Sequence, residues 1–167
     1  MDRYSCNLTA YDFTEIEMKQ QFGDLLVLAE QGQFDVIVHG CNCFCTMGAG
    51  IAKAIKEKFP EAYQADLQTV SGDRGKLGTY SQAKIQREGG EFVIINAYTQ
   101  FNWRGRGIKA DYAAIEQVFK SIKSEFSGLR IAYPLIGAGL AGGDWAVISK
   151  MIDHELHGEA HTLVRLI

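Results

Sequence analysis

The amino-acid sequence predicts an α/β fold, with a largely parallel or mixed sheet covered by helices on both faces. Short apolar segments rich in β-branched residues alternate along the chain with amphipathic segments of helical period, and this order of elements is typical of that fold class. The chain has 167 residues, of which 47% are hydrophobic and 22% charged. We therefore expect a single domain over residues 1–167, with residues 1–13 as an N-terminal extension or extra strand.

The first half of the chain is predicted to hold two strands, each followed by a helix. Residues 15–20 alternate apolar and polar side chains and predict a strand, followed by a turn at Gly23 and a short helix that ends near Gly32. Residues 35–39 (DVIVH) form a continuous β-branched run, which is typical of a central strand. The apolar residues after the next loop recur at helical spacing up to Pro60, which ends one helix and begins another.

The second half of the chain begins with a predicted hairpin. Residues 77–85 and 92–100 are strand candidates joined by the polar turn QREGGE, and the first of them is expected at an edge of the sheet. Residues 110–126 carry an apolar stripe of helical period. Three more segments complete the pattern, a buried strand, a helix and a final strand, at residues 130–136, 144–156 and 161–167.

Charge and hydropathy exclude several classes of protein. The formal net charge is −3, which disfavours a general nucleic-acid binder. No apolar run approaches the roughly 20 residues that cross a bilayer, and the N-terminus lacks the charged-then-apolar order of a signal peptide. We therefore expect a cytoplasmic protein without a membrane partner.

Three of the four cysteines (Cys41, Cys43 and Cys45) alternate within five residues. This spacing is too close for pairing with one another, and so cysteine-poor a chain does not indicate a disulfide framework. A zinc site needs a second ligand pair at the usual interval, which is missing. Reduced, partly buried thiols and no metal are the preferred interpretation.

Two glycine-rich loops follow predicted strands and precede predicted helices. The first is HGCNCFCTMGAGI (residues 39–51) and the second is IGAGLAGGDW (residues 136–145). Backbone amides at such positions can bind phosphate, although glycines also occur simply in tight turns. Neither loop has the Lys-Ser or Lys-Thr of a nucleotide-triphosphate loop. The glycines of the first loop are spaced differently from the dinucleotide-binding pattern, and no early acidic partner follows a second strand. A kinase or an ATPase is therefore disfavoured.

Together, four motifs resemble the macro domain family: GDL at residues 23–25, VIVHGCN at 36–42, MGAGIA at 47–52 and PLIGAGLAGGDW at 134–145. The resemblance covers nearly the whole chain and looks closest to the branch of ADP-ribose 1''-phosphate phosphatases and terminal ADP-ribose protein glycohydrolases. It implies a three-layer α/β/α fold with a mixed central sheet. It also implies that the ligand is ADP-ribose or a derivative, including ADP-ribosylated protein. We expect a monomer that needs no cofactor.

The resemblance also implies roles for individual residues. Asp24 would accept a hydrogen bond from the adenine amino group while the Leu25 amide meets a ring nitrogen; the alternative role of Asp24 is to cap the following helix. Asn42 would face the distal ribose, or else bond to its own loop. His39 would act as general base or bind a phosphate, or else be a structural histidine. Asp144 would activate water, although capping the next helix is the favoured role.

The two loops are expected to hold the diphosphate through their backbone amides. The binding residues implied by the resemblance are Met47, Gly48, Ala49, Gly50, Ile51, Ile136, Gly137, Ala138, Gly139, Leu140 and Ala141.

The sequence departs from its glycohydrolase relatives at three positions. Those relatives carry a nucleophilic lysine on a central strand, where this chain reads NAYTQ, and Lys84 on the preceding strand is not an assumed substitute. They carry an aspartate in the second loop, where this chain has Ala141. Where relatives stack an aromatic side chain on adenine, this chain has Val164. Two alternatives follow: adenine binds more weakly, or Tyr98, Phe101 or Trp103 provides a ring from elsewhere.

Residues 100–110 (QFNWRGRGIKA) interleave aromatic and basic side chains with glycines. Three interpretations are open: closure over the phosphates or distal ribose, binding of single-stranded nucleic acid, or a solvated loop anchored by Trp103.

For the whole protein, the leading hypothesis is a hydrolase that acts on a substituent of the distal ribose, first of all a 1''-phosphate. The alternatives are a non-catalytic ADP-ribose reader, a de-ADP-ribosylase and an O-acetyl-ADP-ribose deacetylase.

Overall fold

The computed structural model describes residues 18–167. In this range the chain forms strands, helices and a short 3-10 turn at Arg74–Lys76. In chain order the elements are β1 (Lys19–Phe22), α1 (Leu25–Glu30), β2 (Val36–Cys41), α2 (Gly50–Lys58), α3 (Pro60–Leu67), β3 (Tyr80–Arg87), β4 (Gly90–Tyr98), α4 (Tyr112–Phe126), β5 (Ile131–Tyr133), α5 (Trp145–Glu155) and β6 (His161–Arg165).

The strands form one mixed sheet in the order β1-β6-β5-β2-β4-β3. All neighbouring pairs are parallel except β3 and β4, which form the expected antiparallel hairpin with β3 at the edge. The run of β-branched residues in β2 lies between β5 and β4, which confirms the predicted central strand. Because the other strands are parallel, their carboxyl ends meet along one edge of the sheet.

Helices cover both faces of the sheet, as the alternation of strands and helices predicts. Along β2, Ile37 packs with the core beneath α1, α2 and α3, whereas Val36 and Val38 pack with the core beneath α4 and α5. This alternation follows from the two-residue period of a strand. The three-layer α/β/α architecture with a mixed central sheet is confirmed.

Aspartates define the beginnings of three helices. Asp24, Asp111 and Asp144 precede α1, α4 and α5, and each side chain accepts a hydrogen bond from a backbone N–H of the first turn. Such a cap contributes about 1 kcal/mol. The caps fix where each preceding loop ends, so they position the loops described below.

Two strands are displaced or shorter than the sequence suggests. The strand expected at residues 15–20 begins at Lys19 and runs to Phe22, while residues 15–17 lie outside the described range, as do residues 1–13. The strand expected at residues 130–136 is limited to Ile131–Tyr133. It ends because Pro134 has no N–H for the ladder and Ile136 N donates to the Pro134 carbonyl oxygen at 2.7 Å. Residues 134–136 therefore turn away from the sheet.

Candidate functional site

A cavity of about 1010 Å³ lies at the carboxyl edge of the parallel strands. Its lining comes from the turn after β1, from both glycine loops and from the ends of β4 and β6. From β1 to β4 the sheet order contains four strand spacings, or roughly 19 Å at about 4.8 Å each. The cavity thus suits an elongated ligand lying across the strand ends.

The first loop leads into α2 without a side-chain cap. Ala49 occupies the N-cap position and makes no capping hydrogen bond, so the first amide groups of α2 have no side-chain partner there. Gly48, Ala49, Gly50 and Ile51 all line the cavity. An uncapped helix N-terminus with partial positive charge is a favourable position for an anion.

The second loop folds back on itself through a short backbone hydrogen bond. Gly143 N donates to the Gly137 carbonyl oxygen at 2.7 Å, and Gly137 has φ +71°, a left-handed conformation that favours glycine. A methyl group at Gly143 would lie 2.5 Å from the same oxygen, so this position requires glycine as well. The loop presents its outer side, including Gly139 and Ala141, to the cavity.

The two loops approach each other across the cavity. Leu140 is 82% exposed, and a methyl group at Gly50 would lie 3.5 Å from Leu140 Cδ1. Both loops therefore face one shared space at the same edge of the sheet, which is the arrangement that a common anionic ligand requires.

The structure places most of the predicted site residues on the cavity wall and leaves three away from it. The lining includes Asp24, Leu25, Asn42, Met47, Gly48, Ala49, Gly50, Ile51, Ile136, Gly137, Gly139, Leu140 and Ala141. The lining does not include His39, Ala138 and Asp144. The structure therefore places these three side chains outside the wall of the cavity.

His39 is buried within the sheet rather than facing the cavity. Its side chain is 1% exposed, and its Nε2 lies 2.7 Å from Asn96 Oδ1 on the adjacent strand. Burial lowers the pKa of His39 to about 4, so the imidazole is neutral at pH 7. These contacts agree with the structural role that the sequence analysis left open for His39.

Asp144 and Ala138 serve the scaffold of the second loop. Asp144 Oδ1 accepts a hydrogen bond from Ala146 N at 2.9 Å and so caps α5, which is the role that the sequence favours. Ala138 packs against the core beneath α4 and α5. The loop turns both residues away from the cavity.

Asp24 and Asn42 line the cavity and also stabilise their own loops. Asp24 Oδ1 accepts from Leu26 N at 2.9 Å and Val27 N at 3.4 Å, which leaves Oδ2 outside the cap. Asn42 Nδ2 donates to Thr46 Oγ1 and its Oδ1 accepts from Phe44 N, both at 2.8 Å. Asp24 therefore caps α1, and Asn42 bonds to its own loop, while both residues also line the cavity.

Sequence reasoning missed a buried polar cluster next to the cavity. Asp66 of α3 is 1% exposed and belongs to the cavity lining. Its Oδ1 accepts from the Tyr98 hydroxyl at 2.7 Å, and the buried Lys76 Nζ lies 4.0 Å from the same oxygen. Asp66 follows the buried Ala62 by four residues, so an aspartate on the apolar stripe of a helix was the available signal.

Aromatic and basic side chains form a rim at the β4 end of the cavity. Trp103 is 45% exposed and lines the cavity. Phe44 packs edge-on against Phe101 and Trp103, with ring centroids 5.0 and 5.9 Å apart. The guanidinium groups of Arg74 and Arg104 lie over the rings of Phe101 and Trp103. The segment after β4 is therefore packed against the first loop.

None of the three proposed aromatic rings lies at the Asp24 end of the cavity. Tyr98 is buried at the end of β4. Phe101 and Trp103 follow β4, which is four strand spacings away from β1. Val164 does line the cavity at the Asp24 end. An adenine bound near Asp24 would therefore pack against aliphatic rather than aromatic side chains.

Other expectations concern metals, thiols and membranes. Cys41, Cys43 and Cys45 are buried and free of disulfide bonds, and burial raises the pKa of the Cys41 thiol well above its ordinary value. Within residues 18–167 no group of three or more histidine, cysteine or acidic side chains has the geometry of a metal site. In the same range every helix is too short or too polar to span a bilayer.

The chain forms a three-layer α/β domain with a cavity between two glycine-rich loops at the carboxyl edge of its sheet. The chain belongs to the macro domain family, whose model matches residues 38–152.

Among curated relatives, an uncharacterized 17.5 kDa protein of the tk-vs intergenic region in Enterobacteria phage T4 is 36% identical over 78% of this chain and 84% of its own length. A DNA ADP-ribosyl glycohydrolase of Mycobacterium tuberculosis is 27% identical over 78% of this chain and 36% of its own length. The chain thus spans about a third of that relative. An ADP-ribose 1''-phosphate phosphatase of Aspergillus oryzae is 40% identical over 30% of this chain and 23% of its own length.

Solved structures share the fold at low sequence identity. The macrodomain of Mycobacterium tuberculosis DarG superposes with a TM-score of 0.71 at 22% identity, covering 89% of this chain and 97% of that one. Thermosipho africanus DarTG, solved in complex with ADP-ribose, gives a TM-score of 0.66 at 16% identity and covers 90% of this chain and 43% of that one.

Proposed function

We propose that this protein binds ADP-ribose across the carboxyl edge of its sheet and hydrolyses a bond at the distal ribose. The observation that carries the proposal is the shared cavity between the uncapped N-terminus of α2 and the closed second loop. Two sets of backbone amides facing one space suit a diphosphate, which presents several acceptor oxygens close together. A structural neighbour, Thermosipho africanus DarTG, has been solved in complex with ADP-ribose, and relatives are named for hydrolysis of ADP-ribose derivatives.

The ligand would lie with its adenine near Asp24 and its distal ribose near the end of β4. Asp24 Oδ2 is not used by the helix cap and is an acceptor suited to the adenine amino group. The diphosphate would then occupy the space between Gly50 and Leu140, where the loops approach. Asn42 lines the far part of the cavity, between β2 and β4.

The chemistry would use bound water rather than a histidine base. His39 and Asp144 are turned away from the cavity, so Asn42 is the one of the three proposed catalytic residues that lines it. Its amide can orient a ribose hydroxyl or a water, because an amide both donates and accepts. Water would attack the phosphorus of the 1''-phosphate, the bond between phosphorus and the 1''-oxygen would break, and a proton from the water would pass to that oxygen. The products would be ADP-ribose and inorganic phosphate. ADP-ribose 1''-phosphate is the first substrate to test.

Calorimetry with a matched pair of variants tests binding. Gly48 lines the cavity, and a side chain there would meet only the Thr46 carbonyl oxygen, at 4.0 Å. Gly48→Glu places a negative charge beside the proposed diphosphate, while Gly48→Gln has the same size without the charge. We expect ADP-ribose to bind the wild type and the Gln variant and at least tenfold more weakly to the Glu variant. Equal binding to both variants would contradict a diphosphate at this loop.

A second candidate function is removal of ADP-ribose from nucleic acid. The rim formed by Phe44, Phe101 and Trp103 with Arg74 and Arg104 lies at the β4 end, where the group attached to the distal ribose would emerge. Aromatic rings interleaved with arginines bind single strands by stacking and charge. Relatives named DNA ADP-ribosyl glycohydrolase favour this substrate over ADP-ribosylated protein.

A substrate panel separates the two candidates. Wild-type protein is assayed for release of phosphate from ADP-ribose 1''-phosphate. It is also assayed for release of ADP-ribose from an ADP-ribosylated single-stranded oligonucleotide, an ADP-ribosylated protein and O-acetyl-ADP-ribose. Arg104→Gln should lower kcat/KM severalfold for the oligonucleotide only, and Lys120→Gln on the exposed face of α4 is the control. Binding without turnover of any substrate would support the non-catalytic reader instead. A monomeric state and a cytoplasmic location stay predictions.

A further inference from the structure

One carboxylate oxygen at the inner end of the cavity lacks a hydrogen-bond donor. Asp66 is 1% exposed and lines the cavity, and its Oδ2 accepts no hydrogen bond from any residue in the range 18–167. A buried carboxylate oxygen without a donor is unfavourable, because desolvation is not compensated. A ligand hydroxyl that reached this oxygen would remove that cost.

The side chain of Asp66 is held firmly in place. Its Oδ1 accepts from the Tyr98 hydroxyl at 2.7 Å, and the same hydroxyl lies 2.8 Å from Ser81 Oγ. The Asp66 backbone carbonyl accepts from Thr69 Oγ1 at 2.6 Å. These contacts hold the backbone of Asp66 and one of its two carboxylate oxygens in place.

Lys76 balances the charge of this carboxylate and is itself positioned by the first loop. Its Nζ lies 4.0 Å from Asp66 Oδ1, donates to the Cys43 carbonyl oxygen at 3.2 Å and lies 3.3 Å from Cys45 Sγ. The two opposite charges therefore compensate each other, and Asp66 Oδ2 is left without a donor in a residue that lines the cavity, as Thr46 and Asn42 also do. An acceptor of this kind selects for a hydroxyl donor.

Asp66 lies at the opposite end of the cavity from Asp24. Tyr98, the partner of Asp66, ends β4, whereas Asp24 follows β1, and the sheet order separates these strands by four spacings. Resting on the proposed function, which places adenine at Asp24, we propose that Asp66 Oδ2 accepts a hydrogen bond from a hydroxyl of the distal sugar. Asp66 then makes the site prefer ADP-ribose to ADP.

Calorimetry on Asp66→Asn with ADP-ribose and ADP tests this assignment. The asparagine keeps an acceptor for Tyr98 but loses the charged acceptor toward the ligand. We expect ADP-ribose to bind about tenfold more weakly, the lower end for a hydrogen bond to a charged group, with ADP affinity changed less than twofold. Asp153→Asn is the matched control, because Asp153 also has a buried oxygen without a donor but does not line the cavity. It should bind both ligands as wild type does.

The outcomes distinguish this inference from the proposed function. If the wild type binds neither ligand, the inference and the proposed function are both wrong. If the wild type binds ADP-ribose and Asp66→Asn binds it equally well, the role of Asp66 is refuted while the proposed function stands. The same conclusion follows if Asp66→Asn loses as much affinity for ADP as for ADP-ribose. Should Asp66→Asn not fold, the wild type is titrated with ADP-ribose analogues that each lack one of the three distal hydroxyls, at position 1'', 2'' or 3''. At least one of the three analogues should bind about tenfold more weakly than ADP-ribose, and wild-type affinity for all three overturns the inference.

Discussion

Replacing Gly143 by alanine should damage the second loop far more than the same change at Gly139. A methyl group at Gly143 would lie 2.5 Å from the Gly137 carbonyl oxygen and 2.9 Å from Ile148 Cδ1. The oxygen belongs to the backbone and accepts the Gly143 N–H at 2.7 Å, so no rotamer change can relieve the contact. At Gly139 nothing lies within 4 Å of the added methyl group, and neither glycine has a left-handed φ.

The expected magnitude follows from these contacts. Overpacking costs about 1–3 kcal/mol, and weakening the closing hydrogen bond adds about 1 kcal/mol, so Gly143→Ala should lower the free energy of unfolding by about 3 kcal/mol. In a chain of this length that corresponds to a drop in Tm of roughly 6–12 °C. Gly139→Ala should stay within about 0.5 kcal/mol of wild type. Urea unfolding and calorimetry measure both, and equal stability of the two variants would refute the reasoning.

Three further predictions concern the cap of α1, acid stability and a surface ion pair. Asp24→Ala should lower the free energy of unfolding by about 1 kcal/mol and Asp24→Asn should not, because asparagine also caps; thermal unfolding decides this, and equal losses would contradict it. Burial lowers the pKa of His39 and His161 to about 4. Between pH 6.5 and 4 these histidines therefore take up protons only in the unfolded chain, so the free energy of unfolding decreases as the pH is lowered. His39→Gln should reduce this slope by about 1 kcal/mol per pH unit in urea titrations, and parallel profiles would disprove it. Arg130→Lys loses the two-pronged contact with Asp35 and should cost about 0.5 kcal/mol at this half-exposed position, with no loss if the pair is inert.

The features that sequence predicted correctly are those with a local signature. The glycine loops, the aspartate caps and Pro60 at the beginning of α3 all depend on neighbours a few residues apart. Parallel strands then bring the loops together, because each loop follows the carboxyl end of a strand. The location of the cavity could therefore be derived before the structure was known.

The features that sequence missed depend on contacts between distant segments. The role of His39 is decided by Asn96, which is 57 residues away and meets it only through the pairing of β2 with β4. Asp66 similarly gains its meaning from Tyr98 and Lys76, on elements whose register no local pattern reveals. Periodicity placed both residues on strands and helices but did not tell which neighbour they would face.

The position of β1 has a consequence for how long a ligand stays bound. The turn that carries Asp24 directly follows this four-residue strand. The strand pairs with β6 at the edge of the described sheet, and most of its side chains are exposed. An edge strand of this kind can detach from the sheet at a much lower free energy than the whole domain needs to unfold. Asp24 is in position to bind a ligand only when β1 is attached. Ligand binding and the attachment of β1 to the sheet are therefore coupled. A bound nucleotide should slow amide hydrogen exchange along β1. Substitutions that weaken the pairing of β1 with β6 should shorten the residence time of the nucleotide, even when both glycine loops are unchanged.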